Sequence, residues 1–168
     1  MKIRTIEEKD WNCILDIQEK SYQEVGIEDL AVLKSKNDAS PDTCFVCVSN
    51  DGEIFGYVLA HPWCGVAPPK LFESLPYIEN CDHLYLHDMA ISPHSKGKGV
   101  GRALASKLID VAKNKSMTKI SLVAVQGSQT FWTRVGFKEV KGVEVCSSYG
   151  EQAVLMENVL NPQESTIV

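Results

Sequence analysis

One continuous block, residues 83–125, constrains the fold most. An apolar run, "HLYLHDMAI", passes through the turn "SPHSKGKGVG" into "GVGRALASKLIDVAKNK", and a second apolar run, "KISLVAV", follows. The two runs read as buried strands, and the segment between them as a helix with Val100, Leu104, Leu108, Val111 and Ala112 on one face. A strand–helix–strand crossover places its two strands parallel, so the chain is expected to build a sheet with a helix packed on it.

The flanking sequence adds antiparallel material. Residues 2–5 read as a short strand. The segment "TIEEKDWNCILDIQEKSY" reads as a helix, with Thr5 and Glu8 at capping-box spacing and Trp11, Ile14, Leu15, Gln18 and Tyr22 on one stripe. A second helix over 28–36 carries Leu30 and Leu33, and "DTCFVCVSNDGEIFGYVLAHPW" reads as a hairpin turning at Asn50-Asp51-Gly52. Residues 63–81, with Pro68, Pro69 and Pro76, form a long irregular connection, of the kind that is usually functional or disordered. "SQTFWTRVGF" is expected to be a short helix ended by Gly136, "FKEV" and "SYGEQAVLME" the last strands, and "NPQESTIV" a flexible tail. This predicts an α/β (α+β) fold: a mixed, mostly antiparallel sheet with about four helices, in a single domain over 1–160 with a tail at 161–168. At 168 residues the chain is long enough for a full hydrophobic core.

Seventeen Lys and Arg against 22 Asp and Glu give a net charge of -5, which argues against a nucleic-acid partner held on a basic face. No segment has the length of a membrane span or the pattern of a signal peptide, so a cytoplasmic protein without membrane contact is expected. The six cysteines (13, 44, 47, 64, 81 and 146) are scattered through apolar contexts and are expected to be free thiols. Oligomeric state is left open, a homodimer being the commonest soluble assembly.

Gly97, Gly99 and Gly101 in "KGKGVG" ask for close approach to bare backbone. A P-loop would continue from its last glycine with Lys-Ser or Lys-Thr, and here Arg102-Ala103 follow. A dinucleotide fingerprint fails on spacing, and residues 111–138 hold no acidic side chain for a ribose. What remains is a glycine turn at a helix start, with unpaired N–H groups, the positive end of the helix dipole and the charges of Lys96, Lys98 and Arg102 around it: an anion site, or an ordinary turn with solvated lysines.

Taken together, "MAISPHSKGKGVGRAL" resembles the coenzyme A motif of the GCN5-related N-acetyltransferase (GNAT) superfamily: Arg or Gln, two residues, Gly, one residue, then Gly or Ala. Lys96, Gly99 and Gly101 occupy its fixed positions, Lys96 departing from the usual first residue but keeping charge. "FWTRVGF" and "SYGEQAVLM" are similar to later elements of a bacterial subgroup that also carries "LHDLA", and the match covers most of 2–157.

The resemblance implies a GNAT acyl-CoA N-acyltransferase fold with acetyl-CoA as co-substrate and no metal. It places the pyrophosphate on the N–H groups from Gly97 through Lys98, Gly99, Val100 and Gly101 to Arg102. The pantetheine arm would lie against Met89, Ala90 and Ile91, along a sheet edge opened by splaying "HLYLHDMAI" from "KISLVAV". It implies direct acetyl transfer to a primary amine, expected to belong to a small molecule. The alternatives are a protein or peptide amine, a longer acyl-CoA donor, or a catalytically idle CoA-binding domain.

An ammonium must lose its proton before it can attack. Strand alternation puts His83, Tyr85, His87 and Met89 on one face, with Leu84, Leu86, Asp88 and Ala90 on the other. The resemblance aligns Tyr85 and His87 with base and water-relay positions, the alternative being a histidine simply hydrogen-bonded within the sheet. Asp88 reads either as a buried structural carboxylate or as a group near the site. Trp132, beside the coenzyme, stands where many members have a thiolate-protonating tyrosine, and an indole N–H cannot serve as that acid. Tyr149 in the closing strand is nominated instead. Cys44-x-x-Cys47 in a strand points to opposite faces, and Cys81, His83 and His87, with His61 and Cys64, match no standard zinc spacing. Acidic residues Glu24, Glu28, Asp29, Glu73 and Glu79 could draw in a cationic acceptor or could simply be solvated.

Overall fold

A computed structural model describes residues 1–65, 67–75 and 81–160. The elements run β1 (Lys2–Thr5), α1 (Trp11–Ser21), α2 (Leu30–Ala39), β2 (Cys44–Val48), β3 (Ile54–Trp63), β4 (His83–Ile91), α3 (Val100–Asn114), β5 (Lys119–Ala124), α4 (Gln129–Arg134), β6 (Lys138–Glu139) and β7 (Val154–Val159), with short 3-10 turns between several of them. The expected tail, Pro76 and Glu79 lie outside the described residues.

Seven strands form one sheet in the order β1-β2-β3-β4-β5-β7-β6. Among the described residues only β4 and β5 run parallel, as the crossover through α3 requires. The sheet is covered on both faces. Leu84 and Leu86 of β4 and Ile120 and Leu122 of β5 pack under Leu104 and Leu108 of α3. On the opposite face Tyr57 and Leu59 of β3 and Ala90 of β4 meet Trp11, Ile14 and Ile17 of α1 and Leu33 of α2. Cys47 belongs to the first core and Cys44 to the second, so this spaced pair does point to opposite faces.

The start of α1 differs in detail from the sequence expectation. The first turn is a 3-10 segment at Glu8–Asp10, and the helix begins at Trp11. Asp10, not Glu8, closes the N-terminus: its carboxylate accepts the Glu7 N–H at 2.8 Å and both arms of the Arg4 guanidinium at 2.7 and 2.9 Å. A charged bidentate partner from β1 outcompetes the local Thr5–Glu8 spacing.

The alternation read along β4 also breaks. Leu59 pairs with Asp88 and Ala60 with Leu86, which leaves His87 as the extra residue of a β-bulge. Beyond the bulge the phase shifts by one. Met89 and Ile91 pack toward the α3 core with Leu84 and Leu86, while Asp88 bonds to Tyr57 on the α1 side. Met89 therefore does not share a face with His87, and Asp88 does.

Two of the expected free thiols are not free. Cys64 and Cys81 are joined as a disulfide, with their Cα atoms 5.1 Å apart. They extend the paired ends of β3 and β4, where Trp63 faces His83, so antiparallel pairing itself brings them together. The bond closes the 63–81 connection at its base and removes the argument from free thiols to a reducing compartment. Cys13, Cys44, Cys47 and Cys146 remain free. Among the described residues no helix is long and apolar enough to cross a membrane.

Candidate active site

The splay between β4 and β5 creates the site. Their parallel pairing covers only His83–Leu86 against Lys119–Leu122, after which β5 stays with β7 and β4 stays with β3. A cavity of about 360 Å³ opens in the gap, lined by Met89, Ala90 and Ile91 on one side and by Leu122, Val123 and Val125 on the other.

The backbone along the open edge has a definite polarity. Ser92 N–H donates to Phe55 O of the β3 side, and alternate residues of an antiparallel strand turn both backbone groups to the same neighbour. Ser92 and Ala90 thus address β3, and Met89 and Ile91 address the gap. Consistently, the Met89 carbonyl accepts the Tyr22 hydroxyl at 2.7 Å rather than a strand partner. Of the three residues expected along the coenzyme, Met89 and Ile91 present backbone to the gap and Ala90 sits between them.

At the far end of β4 the glycine turn leads into α3. Gly97 and Gly99 have φ of 82° and 77°, and Gly99 is the helix N-cap. A Cβ at either position would meet no atom within 4 Å, so the left-handed backbone asks for glycine while the space beside it stays open. Ala103 N–H is bonded to Gly99 O, so the N–H groups of Val100, Gly101 and Arg102 precede the first helical bond and have no partner within the helix. Gly101 has a different reason: a Cβ there would lie 3.3 Å from the Phe131 ring of α4. Lys96 lines the cavity, Arg102 is exposed, and the Lys98 ammonium sits 4.7 Å over the Phe55 ring.

On the α1–α2 side lies a buried polar cluster. His87 Nε2 is 2.5 Å from Glu28 Oε1, and His87 Nδ1 is buried with no hydrogen-bond partner. Burial would raise the Glu28 carboxyl, but its bond to His87 and the His87 charge hold it below the ordinary carboxylate value. His61 on β3 lies behind, its ring centre 6.4 Å from that of His87, and burial pushes its pKa down to about 3. Asp88 Oδ2 accepts the Tyr57 hydroxyl at 2.6 Å, Oδ1 is unpartnered, and burial raises the carboxyl.

Tyr85 and Tyr149 meet at 3.0 Å between hydroxyls, and Tyr149 donates onward to Pro69 O. Tyr149 lies in a 3-10 turn (Ser147–Tyr149) before β7, not in the closing strand as expected, and it borders the cavity where Tyr85 does not. Burial raises both phenols. Trp132 is a core residue, its ring edge-on to Phe131 and Phe137, that also reaches the cavity wall. Among the described residues no three His, Cys, Asp or Glu side chains gather as metal ligands.

Of the acidic residues expected near the acceptor that lie among the described residues, Glu24, Asp29 and Glu73 are exposed and Glu28 is buried. Its role, and that of Gln18, escaped the sequence reading. A signal was present: a glutamine on the apolar stripe of α1 needs a buried polar partner.

A sheet opened between two parallel strands, with a glycine-capped helix at its mouth, is the GNAT acyl-CoA N-acyltransferase fold. The acetyltransferase (GNAT) family model matches residues 8–137, and the chain belongs to that family. It is 31% identical over 70 residues to the uncharacterized N-acetyltransferase MJ1207 of Methanocaldococcus jannaschii, a match covering 40% of this chain and 31% of that protein's length. In structure it is similar to the GNAT-like decarboxylase GphF in complex with isobutyryl-CoA, with a TM-score of 0.82 at 14% identity, covering 96% of this chain and 100% of that one. It is also similar to the ribosomal-protein-S18-alanine N-acetyltransferase of Escherichia coli, with a TM-score of 0.68 at 16% identity, covering 99% and 98%.

Proposed function

We propose that the chain transfers the acetyl group of acetyl-CoA directly to a primary amine of a small molecule. The observation that carries this reading is one cavity that joins the open β4 edge to His87 and is lined at its other end by Pro93 and Lys96, next to the glycine turn in sequence. The pyrophosphate would rest on the N–H groups from Gly97 to Arg102, favoured by the helix dipole. The pantetheine would pair with Met89 and Ile91, and the Met89 N–H would polarise the thioester carbonyl. GphF, whose structure holds isobutyryl-CoA, supports a CoA thioester in this groove and leaves room for a longer acyl donor.

His87 takes the proton that the ammonium must lose. Tyr149 stabilises the departing thiolate by turning its one hydroxyl hydrogen from Pro69 O to the sulfur: a phenol raised by burial serves it by hydrogen bonding rather than by full proton transfer, and Tyr85 supports its hydroxyl from behind. Trp132 contributes shape. A small acceptor is favoured because Leu71 and Phe72 form part of the wall of a cavity of about 360 Å³, in a segment tied at its base by Cys64–Cys81.

The test is mass spectrometry of the purified protein for bound coenzyme A, followed by chromatographic detection of CoA released across a panel of small amines and peptides. His87→Ala should lower turnover about a hundredfold or more with the affinity for acetyl-CoA kept. Acetyl-CoA binding without turnover on any amine would replace this reading with an idle CoA-binding domain, and turnover confined to peptides would replace the acceptor.

A further inference from the structure

We propose that Glu28 is a positioning residue that fixes the protonation of His87, leaving Nδ1 as the nitrogen that receives the substrate proton. This deepens the reading of His87 as the base and rests on it.

Glu28 lies in the α1–α2 connection, far from β4 in sequence, and it is held on every polar atom. Gln18 of α1 grips its backbone from both sides, accepting its N–H at 2.9 Å and donating to its carbonyl at 3.1 Å. Carboxylate Oε2 accepts the Phe72 N–H at 2.9 Å, and Oε1 is left for His87 Nε2 at 2.5 Å. An ionised carboxylate can only accept, so Nε2 must carry the hydrogen. In the neutral ring the lone pair then falls on Nδ1, the buried nitrogen with no partner, on a residue that lines the cavity.

The chemistry balances on these atoms. A proton leaves the acceptor ammonium for His87 Nδ1, giving imidazolium; the neutral amine nitrogen bonds the acyl carbon, the carbon–sulfur bond breaks, and the second nitrogen proton passes to the departing thiolate. The products are the amide and the CoA thiol, and the imidazolium returns its proton to solvent. Glu28 Oε1 stabilises the imidazolium through the same 2.5 Å contact. The other groups facing this pair are Tyr22 at the end of α1, Tyr57 and His61 on β3, Tyr85 and Asp88 on β4, Tyr149 beyond Tyr85, and Lys36 of α2 on the Glu28 side. His61, at about 3, stays neutral throughout the working range. Glu28 also joins the two walls of the acceptor end, because the Phe72 N–H that it holds belongs to the 67–75 segment.

The experiment uses the full chain labelled with ¹⁵N-histidine. The wild type should show His87 as the Nε2–H tautomer, and Glu28→Ala should turn it to a mixture while the Kd for acetyl-CoA stays within about twofold. Glu28→Gln keeps the shape and one acceptor but loses the charge. It should hold the tautomer, lower kcat roughly tenfold with little change in KM for acetyl-CoA, and move the acidic limb of the rate profile to lower pH. An unchanged tautomer in Glu28→Ala, or a wild-type rate and profile in Glu28→Gln, overturns the proposal. Full activity of His87→Ala would instead remove the base itself, and the tautomer spectra would still report on Glu28 alone. Should Glu28→Ala not fold, Glu28→Gln decides the matter by rate and profile.

Discussion

The hydroxyl of Tyr22, at the C-terminal end of α1, donates to the carbonyl of Met89 at 2.7 Å across 67 residues of sequence. That bond occupies one backbone group of β4 where the sheet has opened and no β5 partner reaches it. It ties the first helix to the edge that the coenzyme would use.

Tyr22→Phe should therefore cost about 1–3 kcal/mol of stability, the usual penalty for leaving a half-buried acceptor unmade. Urea denaturation measures it. The carbonyl faces the cavity, so solvent entry there would bring the loss to the low end of that range. An unchanged midpoint would mean that the Tyr22 bond does not hold the open edge.

The three glycines should separate by mechanism. Gly99→Ala meets no atom but must adopt φ of 77°, at a cost of about 1–2 kcal/mol. Gly99→Val adds bulk to the open space above the helix start and should weaken acetyl-CoA binding at least tenfold. Gly101→Val instead drives its side chain into Phe131 and should lower stability through α4. Isothermal titration paired with thermal melts distinguishes the two, and equal effects of both on binding and melting would remove the distinction.

Much of this was legible in residues 83–125, because a crossover has one topology and a glycine-to-helix junction one electrostatic character. The amphipathic face of α3 agrees at Val100, Leu104, Leu108 and Ala112. What could not be read was long-range. The bulge at His87 depends on how β3 pairs with β4, and it reverses the faces of Asp88 and Met89 against simple alternation. The Glu28–His87 pair needs α1 and β4 brought together, and Glu28 in sequence looks like any loop acid. The Cys64–Cys81 bond is set by strand ends that sequence spacing does not locate.

The Arg4–Asp10 pair makes stability depend on pH in a set direction. Burial alone would raise the Asp10 carboxyl, but the Arg4 hydrogen bonds and the Glu7 N–H outweigh it and hold the pKa below the ordinary value. A group depressed in the folded state contributes stability above its unfolded pKa of about 3.9 and loses it as pH falls through the folded value. Asp10→Asn should be less stable than the wild type by roughly 1.5–3 kcal/mol at pH 7. The gap should close as pH drops below about 4. Urea midpoints of both proteins between pH 7 and pH 2 measure this, and a gap independent of pH would assign the loss to packing.

The disulfide gives the last test. Cys64 and Cys81 close a loop of 17 residues' separation, for which loop-closure entropy in the unfolded chain predicts about 3 kcal/mol. The same segment bonds to three separate elements: Pro69 O to Tyr149, Phe72 N–H to Glu28, and Glu73 O to Lys36 Nζ at 3.0 Å. Reduction with a dithiol, or the double change Cys64→Ser and Cys81→Ser, should lower the melting temperature by several degrees. The segment should then hold Phe72 against Glu28 less firmly, so KM for the amine should rise more than KM for acetyl-CoA. Alkylation before and after reduction establishes the bond itself, since both thiols should resist labelling until reduced. Ready alkylation of Cys64 and Cys81 in the untreated protein would show the bond absent, and equal changes in the two KM values would separate the 67–75 segment from acceptor binding.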